Sequence, residues 1–255
     1  MMIAQPRLPD MRTGALFPSG FANSRRLGAP MVFPHSVRAV VFDLDGLLID
    51  TEAGFRDSLI AVAAERGHEL PLTLFYRLIG VPNADSVKTL IAHYGQGFDA
   101  EGLFVACWER FHETIDLNSL LKSGAAELLD CLDELGMPRA IATSSPQESI
   151  NRNLGPSGII ERFDAIVSKG DYARAKPAPD PYLLAAHRLG IDPIECLALE
   201  DSHNGVRSAH AAGMMTIMVP DLLEPTDEMH AKCVKVVQTL HDVRDLLFAQ
   251  RQNFG

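Results

Sequence analysis

Short apolar runs that stop at polar residues recur along the chain and predict buried strands. The first covers residues 37–42, is rich in valine, and stops at Asp43. Nearly continuous apolar runs of this length are typical of strands that are buried on both faces of a parallel sheet. Two later runs have the same form and also end in polar residues: 139–142 before Thr143 and Ser144, and 196–199 before Glu200 and Asp201.

Helical periodicity separates these runs. Apolar residues recur at helical spacing over 125–135, and Gly136 then provides a common stop. Asp180 followed by Pro181 predicts another helix, with Asp180 as its N-cap. Residues 204–212 predict a third helix, which Gly213 ends before a further apolar run at 214–219. Repeated strand–helix–strand units imply an α/β fold with a doubly wound, Rossmann-like parallel sheet.

One stretch breaks this alternation. Between residues 51 and 116 the signals are only helical, beginning with an apolar face that includes Phe55 and Leu59. Ligands of an open α/β sheet bind at the carboxyl ends of its strands, so helices inserted there would cover the site. We therefore predict an all-helical cap domain at 51–116 and a core domain formed by 36–50 and 117–255.

The first 35 residues differ from the rest of the chain. They contain four arginines against one acid, several prolines and no periodicity. The apolar region of a secretory signal is missing, and the prolines would break an amphipathic transit helix. We expect a weakly ordered N-terminal extension at 1–35.

Charge and cysteine usage narrow the class of protein. The 255 residues carry 33 acids against 23 lysines and arginines, a formal net charge of −10. This balance argues against a broad surface for nucleic acid or anionic membranes. The chain lacks the run of about 18 apolar residues that a membrane span needs. Its four cysteines form no C-x-x-C pair, so we expect a reduced, cytoplasmic protein rather than a disulfide framework or zinc knuckle.

The most informative stretch follows the first predicted strand. Asp43 and Asp45 lie two positions apart and precede Gly46, so both acids can face one ligand. A calcium loop of the EF-hand type does not fit, because it needs glycine at its sixth position and Gly46 is fourth from Asp43. Two acids that only cap a surface turn would be the simplest interpretation if no other motif matched.

Other motifs do match, and together they resemble the haloacid dehalogenase superfamily over residues 37–220. The matching residues, in chain order, are Asp43-Leu-Asp45, Thr143, Lys176 before Pro177, and Glu200-Asp201. The sequences Asp50-Thr51-Glu52 and Leu199-Glu-Asp-Ser202 resemble the branch with a helical cap, which contains sugar-phosphate phosphatases and β-phosphoglucomutase.

Elementary electrostatics indicates a metal ion at such a site. Two like charges about 4 Å apart repel by about 4 kcal/mol at an effective dielectric of 20. Four clustered acids therefore need a cation, and Mg²⁺ prefers oxygen ligands while keeping several waters. We predict Mg²⁺ as the cofactor, held by Asp43, Asp45, Glu200 and Asp201, with Asp45 contributing its backbone carbonyl by resemblance to the family.

The resemblance also implies a role for each matching residue. Asp43 is expected to attack phosphorus and form an aspartyl-phosphate, which water then hydrolyses. Asp45 is expected to act as general acid and then general base, while Lys176 and Thr143 hold the transferred phosphoryl group. The expected partner is a small phosphorylated metabolite. Candidate substrate-binding residues are Thr51, Phe55, Ser144, Asn83 and Arg110.

Several reactions share this scaffold. Dehalogenases of the family lack the second acid of the first motif, so Asp45 argues against that activity. Phosphonoacetaldehyde hydrolases use a cap lysine, and the first cap helix has none. The main alternative is a phosphosugar mutase of the β-phosphoglucomutase type. Phe55 stands where those enzymes have a histidine, and the loop 78–83 carries no base, so hydrolysis is favoured. A non-catalytic binding protein is the remaining alternative, against which the complete set of acids argues.

Overall fold

The computed structural model describes residues 33–79, 81, 83–117 and 120–254, and only the backbone of 252–254. Of the extension expected at residues 1–35, positions 1–32 lie outside the described residues. Among the described residues, no helix combines the length and the apolar character that crossing a membrane requires.

A parallel sheet forms the centre of the described structure. The strands stand in the order β3-β2-β1-β4-β5-β6, and every neighbouring pair is parallel. This order confirms the predicted α/β fold. The strands are β1 (Ala39–Phe42), β2 (Arg139–Ala142), β3 (Ala165–Val167), β4 (Cys196–Glu200), β5 (Met215–Met218) and β6 (Lys235–Val236).

Helices connect and cover the strands. Short 3₁₀ turns occur at Gly155–Ser157, Ile160–Arg162 and Pro193–Glu195. The α-helices are α1 (Glu52–Glu65), α2 (Leu72–Phe75), α3 (Asn83–Tyr94), α4 (Ala100–Thr114), α5 (Ala125–Leu135), α6 (Gln147–Leu154), α7 (Asp180–Leu189), α8 (His203–Ala211), α9 (Asp227–Lys232) and α10 (Leu240–Phe254).

Both faces of the sheet are buried, which explains the continuous apolar character of the strands. In β1, Val40 and Phe42 pack into one hydrophobic cluster with residues of α5 and α10. Ala39 and Val41 point the other way, into a second cluster with residues of α7 and α8. Successive side chains of a strand face opposite sides, so helices on both faces require apolar residues at every position.

Helices α1 to α4 lie between β1 and α5 in the chain and share a hydrophobic cluster of their own. Its fully buried members include Leu59, Leu90, Leu103 and Cys107. This separate core supports the prediction of a helical cap at 51–116, whose boundaries stay a prediction.

Two details of the sequence analysis need correction. The N-cap of α7 is Pro179, and Asp180 is the first helical residue. The carboxylate of Asp180 accepts hydrogen bonds from the backbone N–H and the guanidinium of Arg174, and this ion pair takes the place of capping. Strands β3 and β6 were not predicted; they have three and two residues and lack the fully buried pattern of the central strands.

Candidate active site

The carboxyl ends of three adjacent strands bring the predicted motif residues together. Strand β1 pairs with β2 on one side and β4 on the other. Asp43 follows β1, Thr143 follows β2, and Asp201 follows β4, whose last residue is Glu200. All four side chains are buried. The parallel arrangement is the reason that residues so distant in the chain meet at one edge.

Lys176 lies among these acids, although it comes from the loop before α7. Its ammonium donates hydrogen bonds to Asp43 Oδ1 at 2.5 Å and to Glu200 Oε1 at 2.6 Å. Burial of the side chain lowers the pKa of Lys176, but the nearby Asp43 and Glu200 carboxylates outweigh it and hold this pKa above its ordinary value. Lys176 is therefore a charged group in contact with the predicted nucleophile.

The acids themselves are poorly solvated. Burial raises the pKa of Asp43 to about 7, an effect that Lys176 partly opposes. Burial and the neighbouring charge of Asp43 also raise the pKa of Asp201 well above its ordinary range. Among the described residues, Lys176 is the lysine in contact with these acids, and one ammonium cannot compensate three carboxylates when all of them are ionised.

The donor set fits a hard divalent cation. Carboxylate oxygens of Asp43, Glu200 and Asp201 lie within 4.8 Å of one another. Oδ1 of Asp201 is buried and has no hydrogen-bond partner within the described part of the chain. Both oxygens of Glu200 already accept hydrogen bonds, from Lys176 and Tyr182 on Oε1 and from Ser202 on Oε2. Of these three acids, Asp201 is the one with a buried oxygen that has no described partner and that an ion could use.

Gly46 makes this approach of acids sterically feasible. Its φ is +84°, in the left-handed region, and a Cβ at this position would lie 2.4 Å from Oδ2 of Asp201. The same Cβ would be 3.3 Å from the carboxyl carbon of Glu52. A side chain at position 46 would therefore displace the carboxylate of Asp201 from the cluster.

Asp45 points toward hydroxyl groups rather than into the group of three acids. Its Oδ1 accepts a hydrogen bond from Thr51 at 2.9 Å, and its Oδ2 accepts one from Ser145 at 2.7 Å. The Thr143 hydroxyl lies 3.5 Å from the same Oδ2. Ser145 was not among the predicted site residues. Three consecutive hydroxyl residues follow β2, and sequence alone could not show that Ser145, rather than the exposed Ser144, reaches Asp45.

The predicted substrate-binding residues differ in whether their described contacts reach the acids of the site. Thr51 is buried at the start of α1 and contacts the site through Asp45. Phe55 is half-buried and packs on Trp108, with ring centroids 4.5 Å apart. Arg110 pairs with Glu65 at 2.6 Å, so its described ion pair is within the helical insertion. Asn83 is exposed at the first position of α3.

Three further charged residues adjoin the acids: Glu52, Lys122 and Asp221. Burial raises the pKa of Glu52 to about 8, with a further contribution from the charge of Asp221. Asp221 pairs with Lys122 at 2.5 Å. Glu52 is visible in the sequence as the last residue of Asp50-Thr51-Glu52. Lys122 and Asp221 lie in loops without a motif, and only the tertiary structure brings them to this place.

Tyr182 is another residue at the site that was not predicted from the sequence. It is fully buried, and its hydroxyl donates a hydrogen bond of 2.6 Å to Glu200 Oε1. On the predicted helix it has the position and size of an ordinary core residue, so the sequence contains no signal that its hydroxyl reaches the site.

Comparison with known proteins provides independent information. The family model described as haloacid dehalogenase-like hydrolase matches residues 37–213. Hexitol phosphatase B of Escherichia coli K12 is 32% identical over 198 residues, which are 74% of this chain and 86% of that protein. Protein CbbY of Cupriavidus necator is 34% identical over 212 residues, which are 75% of this chain and 81% of that protein.

A solved structure is similar as well. It is a haloacid dehalogenase family hydrolase from Deinococcus radiodurans with bound phosphate and sodium. Its TM-score is 0.68 at 28% sequence identity, and the match covers 84% of this chain and 96% of that chain.

Proposed function

The chain belongs to the haloacid dehalogenase-like hydrolase family, and from this premise we propose that it is a magnesium-dependent phosphatase of small, sugar-phosphate-like monoesters. Membership confirms the family that the motifs resembled and makes the protein a hydrolytic enzyme of that family. One observation carries the finer proposal. The buried carboxylate of Asp43 contacts the ammonium of Lys176 beside the unpartnered oxygen of Asp201.

The relatives support the choice of a phosphate ester as substrate. Hexitol phosphatase B is named for the removal of phosphate from a sugar alcohol, and the Deinococcus radiodurans hydrolase was solved with phosphate. We extend this chemistry to the present chain because its acids and Lys176 form a site in which a phosphoryl group can be bound between a cation and an ammonium.

The acids at the strand ends would hold the metal ion. Asp43 and Asp201 would supply carboxylate oxygens and Asp45 its backbone carbonyl. The sequence also predicts Glu200 as a ligand, but both of its oxygens accept hydrogen bonds, so we propose that Glu200 lies beside the ion. When bound, Mg²⁺ would offset the mutual repulsion of the acids and the negative charge of the phosphoryl group.

Each residue of the site has a separate role in the proposed reaction. An oxygen of Asp43 attacks phosphorus, a new bond forms to that oxygen, and the bond from phosphorus to the ester oxygen breaks. Asp45 donates a proton to the departing ester oxygen. It then accepts a proton from water as this water attacks phosphorus, so inorganic phosphate leaves and the carboxylate of Asp43 is restored. Lys176 and Thr143 hold the phosphoryl oxygens throughout.

Phosphate release from p-nitrophenyl phosphate tests this proposal. We expect turnover by the full chain with Mg²⁺, loss of turnover with EDTA, and recovery when excess Mg²⁺ is returned. Asp43→Asn serves as the inactive reference. Phosphate release that is equal with Mg²⁺ and with EDTA would contradict the metal-dependent mechanism, and release by Asp43→Asn would contradict the role of Asp43.

A panel of sugar phosphates and sugar alcohol phosphates then distinguishes hydrolysis from the alternative. We expect free phosphate and the dephosphorylated product. Conversion of a sugar 1-phosphate into its 6-phosphate, without release of phosphate, would instead indicate the mutase.

A further inference from the structure

A completely buried tyrosine hydroxyl lies within the acidic site. Tyr182 is the largest of the fully buried side chains among the described residues, and it comes from the first turn of α7. Its hydroxyl donates to Glu200 Oε1 at 2.6 Å. A buried tyrosine hydroxyl needs a hydrogen-bond partner, and a charged carboxylate is a stronger partner than a backbone carbonyl.

Both carboxylate oxygens of Glu200 accept hydrogen bonds. Its Oε1 accepts from Tyr182 and Lys176, and its Oε2 accepts from the backbone N–H and the hydroxyl of Ser202 at 3.3 and 3.1 Å. A carboxylate offers about four lone-pair positions, so these donors fill its capacity. A Cβ on Gly205 would lie 1.8 Å from the carboxyl group, which shows how closely the backbone of α8 packs on it.

Tyr182 also contacts Lys176 directly. The ammonium nitrogen lies 3.4 Å from the tyrosine hydroxyl and 5.0 Å from the centre of the aromatic ring. The remaining donors of the ammonium are directed to Asp43 and Glu200. Lysine has a long and flexible side chain, and its position here is defined by these partners.

We propose that Tyr182 is a positioning residue of the phosphoryl site: its hydroxyl holds Glu200, and through Glu200 it fixes the ammonium of Lys176 beside Asp43. This inference rests on the proposed function, in which Lys176 binds the transferred phosphoryl group. Without the hydroxyl, Oε1 of Glu200 loses one of its two donors and draws the ammonium away from Asp43. The aromatic ring would still fill the same space in the core.

Tyr182→Phe tests this inference because it removes only the hydroxyl. We expect kcat for p-nitrophenyl phosphate to fall about tenfold, as for loss of a hydrogen bond to a charged group, while KM changes less than about twofold. Tyr94→Phe is the matched control, because the Tyr94 hydroxyl donates to the backbone oxygen of Glu69 within the helical insertion. A Tyr182→Phe enzyme with the kcat of the control would overturn the inference.

A double-mutant cycle separates positioning from a general loss of structure. If Tyr182 acts through Glu200, Tyr182→Phe should slow the wild-type enzyme but change the residual kcat of a Glu200→Gln enzyme less than about twofold. An equal fold loss in both backgrounds would mean that the tyrosine hydroxyl does not act through Glu200, and the inference would be wrong.

The same measurements keep the two proposals apart. Absence of Mg²⁺-dependent phosphate release from the wild-type enzyme would mean that the proposed function itself fails. An inactive Asp43→Asn enzyme together with an unaffected Tyr182→Phe enzyme would leave the proposed function intact and reject only the role of Tyr182.

Discussion

Ser145 donates a hydrogen bond of 2.7 Å from its hydroxyl to Oδ2 of Asp45, a residue 100 positions earlier in the chain. The backbone N–H of Ser145 in turn donates to the hydroxyl oxygen of Thr143 at 3.0 Å. The turn after β2 therefore presents its hydroxyl groups to the second acid of the first motif, while Thr51 approaches that acid from the start of α1. The orientation of Asp45 depends on both segments.

Removal of the serine hydroxyl should impair proton transfer. We expect Ser145→Ala to lower kcat for an aryl phosphate about 10- to 100-fold, because a hydrogen bond to a charged group contributes about 1.5–3 kcal/mol. KM should change little, since Asp45 does not hold the phosphoryl group in the proposed mechanism. Steady-state kinetics would check this, with Ser157→Ala as control, because the Ser157 hydroxyl donates to the backbone oxygen of Leu154. Equal kcat values for the two variants would contradict the role of Ser145.

The two acids of the first motif should respond differently to amide substitution. Asp45→Asn should lower turnover by about 10²–10⁴-fold, the usual contribution of a general acid, yet still form the aspartyl-phosphate slowly from an activated ester. Asp43→Asn should form none, because a neutral amide oxygen is a far weaker nucleophile than a carboxylate oxygen. Intact-protein mass spectrometry after mixing with substrate would detect the phosphorylated enzyme. The assignment of roles would be refuted by equal residual rates in the two variants.

The unpartnered oxygen of Asp201 predicts a large effect on metal binding. We expect Asp201→Asn to weaken Mg²⁺ binding by more than about tenfold, measured by titration calorimetry. Asp85→Asn is a suitable control, because Asp85 is exposed and pairs with Lys88 on α3. Mg²⁺ affinities that agree between these two variants would exclude Asp201 as a ligand.

Alanine substitutions at two glycines with positive φ would distinguish the energetic cost of backbone strain from that of a steric clash. Gly190 follows the last residue of α7 with φ +68°, and a Cβ there would meet no atom of the described residues within 4 Å. We expect Gly190→Ala to lower the free energy of unfolding by about 1–2 kcal/mol, the strain of the left-handed conformation. Gly46→Ala should lower it further, because its Cβ would meet Asp201 at 2.4 Å. Urea unfolding at one pH would compare them, and an equal loss would contradict the predicted contact.

An ion pair at the start of β2 should make stability depend on acid pH. Hydrogen bonds from Arg139 and then Arg162 hold the pKa of Asp133 below its ordinary value of 3.8. Because the folded-state pKa is lowered, the stabilisation is present above pH 3.8 and disappears as the pH falls through the lower value. The difference in unfolding free energy between the wild type and Asp133→Asn should therefore shrink in acid. A difference that is constant from neutral to acid pH would contradict this interpretation.

The central strands and the edge at which the site forms could be predicted because their signals are local. A strand buried on both faces must be apolar at every position, so β1 and β4 stand out in the sequence, as do the acids that follow them. β3 and β6 could not be recognised in this way, because they are short and only partly buried. The start of α7 was misassigned for a related reason: the carboxylate of Asp180 binds Arg174, and no local rule reveals that competitor.

By itself, the sequence determined the α/β class and the family. It also determined which acids, lysine and threonine form the proposed phosphoryl site, because these residue types occur in a fixed order along the chain. Tertiary structure alone decided the partners of these residues: Ser145 rather than Ser144 at Asp45, Tyr182 at Glu200, and the Lys122–Asp221 pair beside Glu52. The physical reason is that a hydrogen bond forms only at short distance and suitable angle. Those distances are set by how strands and helices that are far apart in the chain pack together.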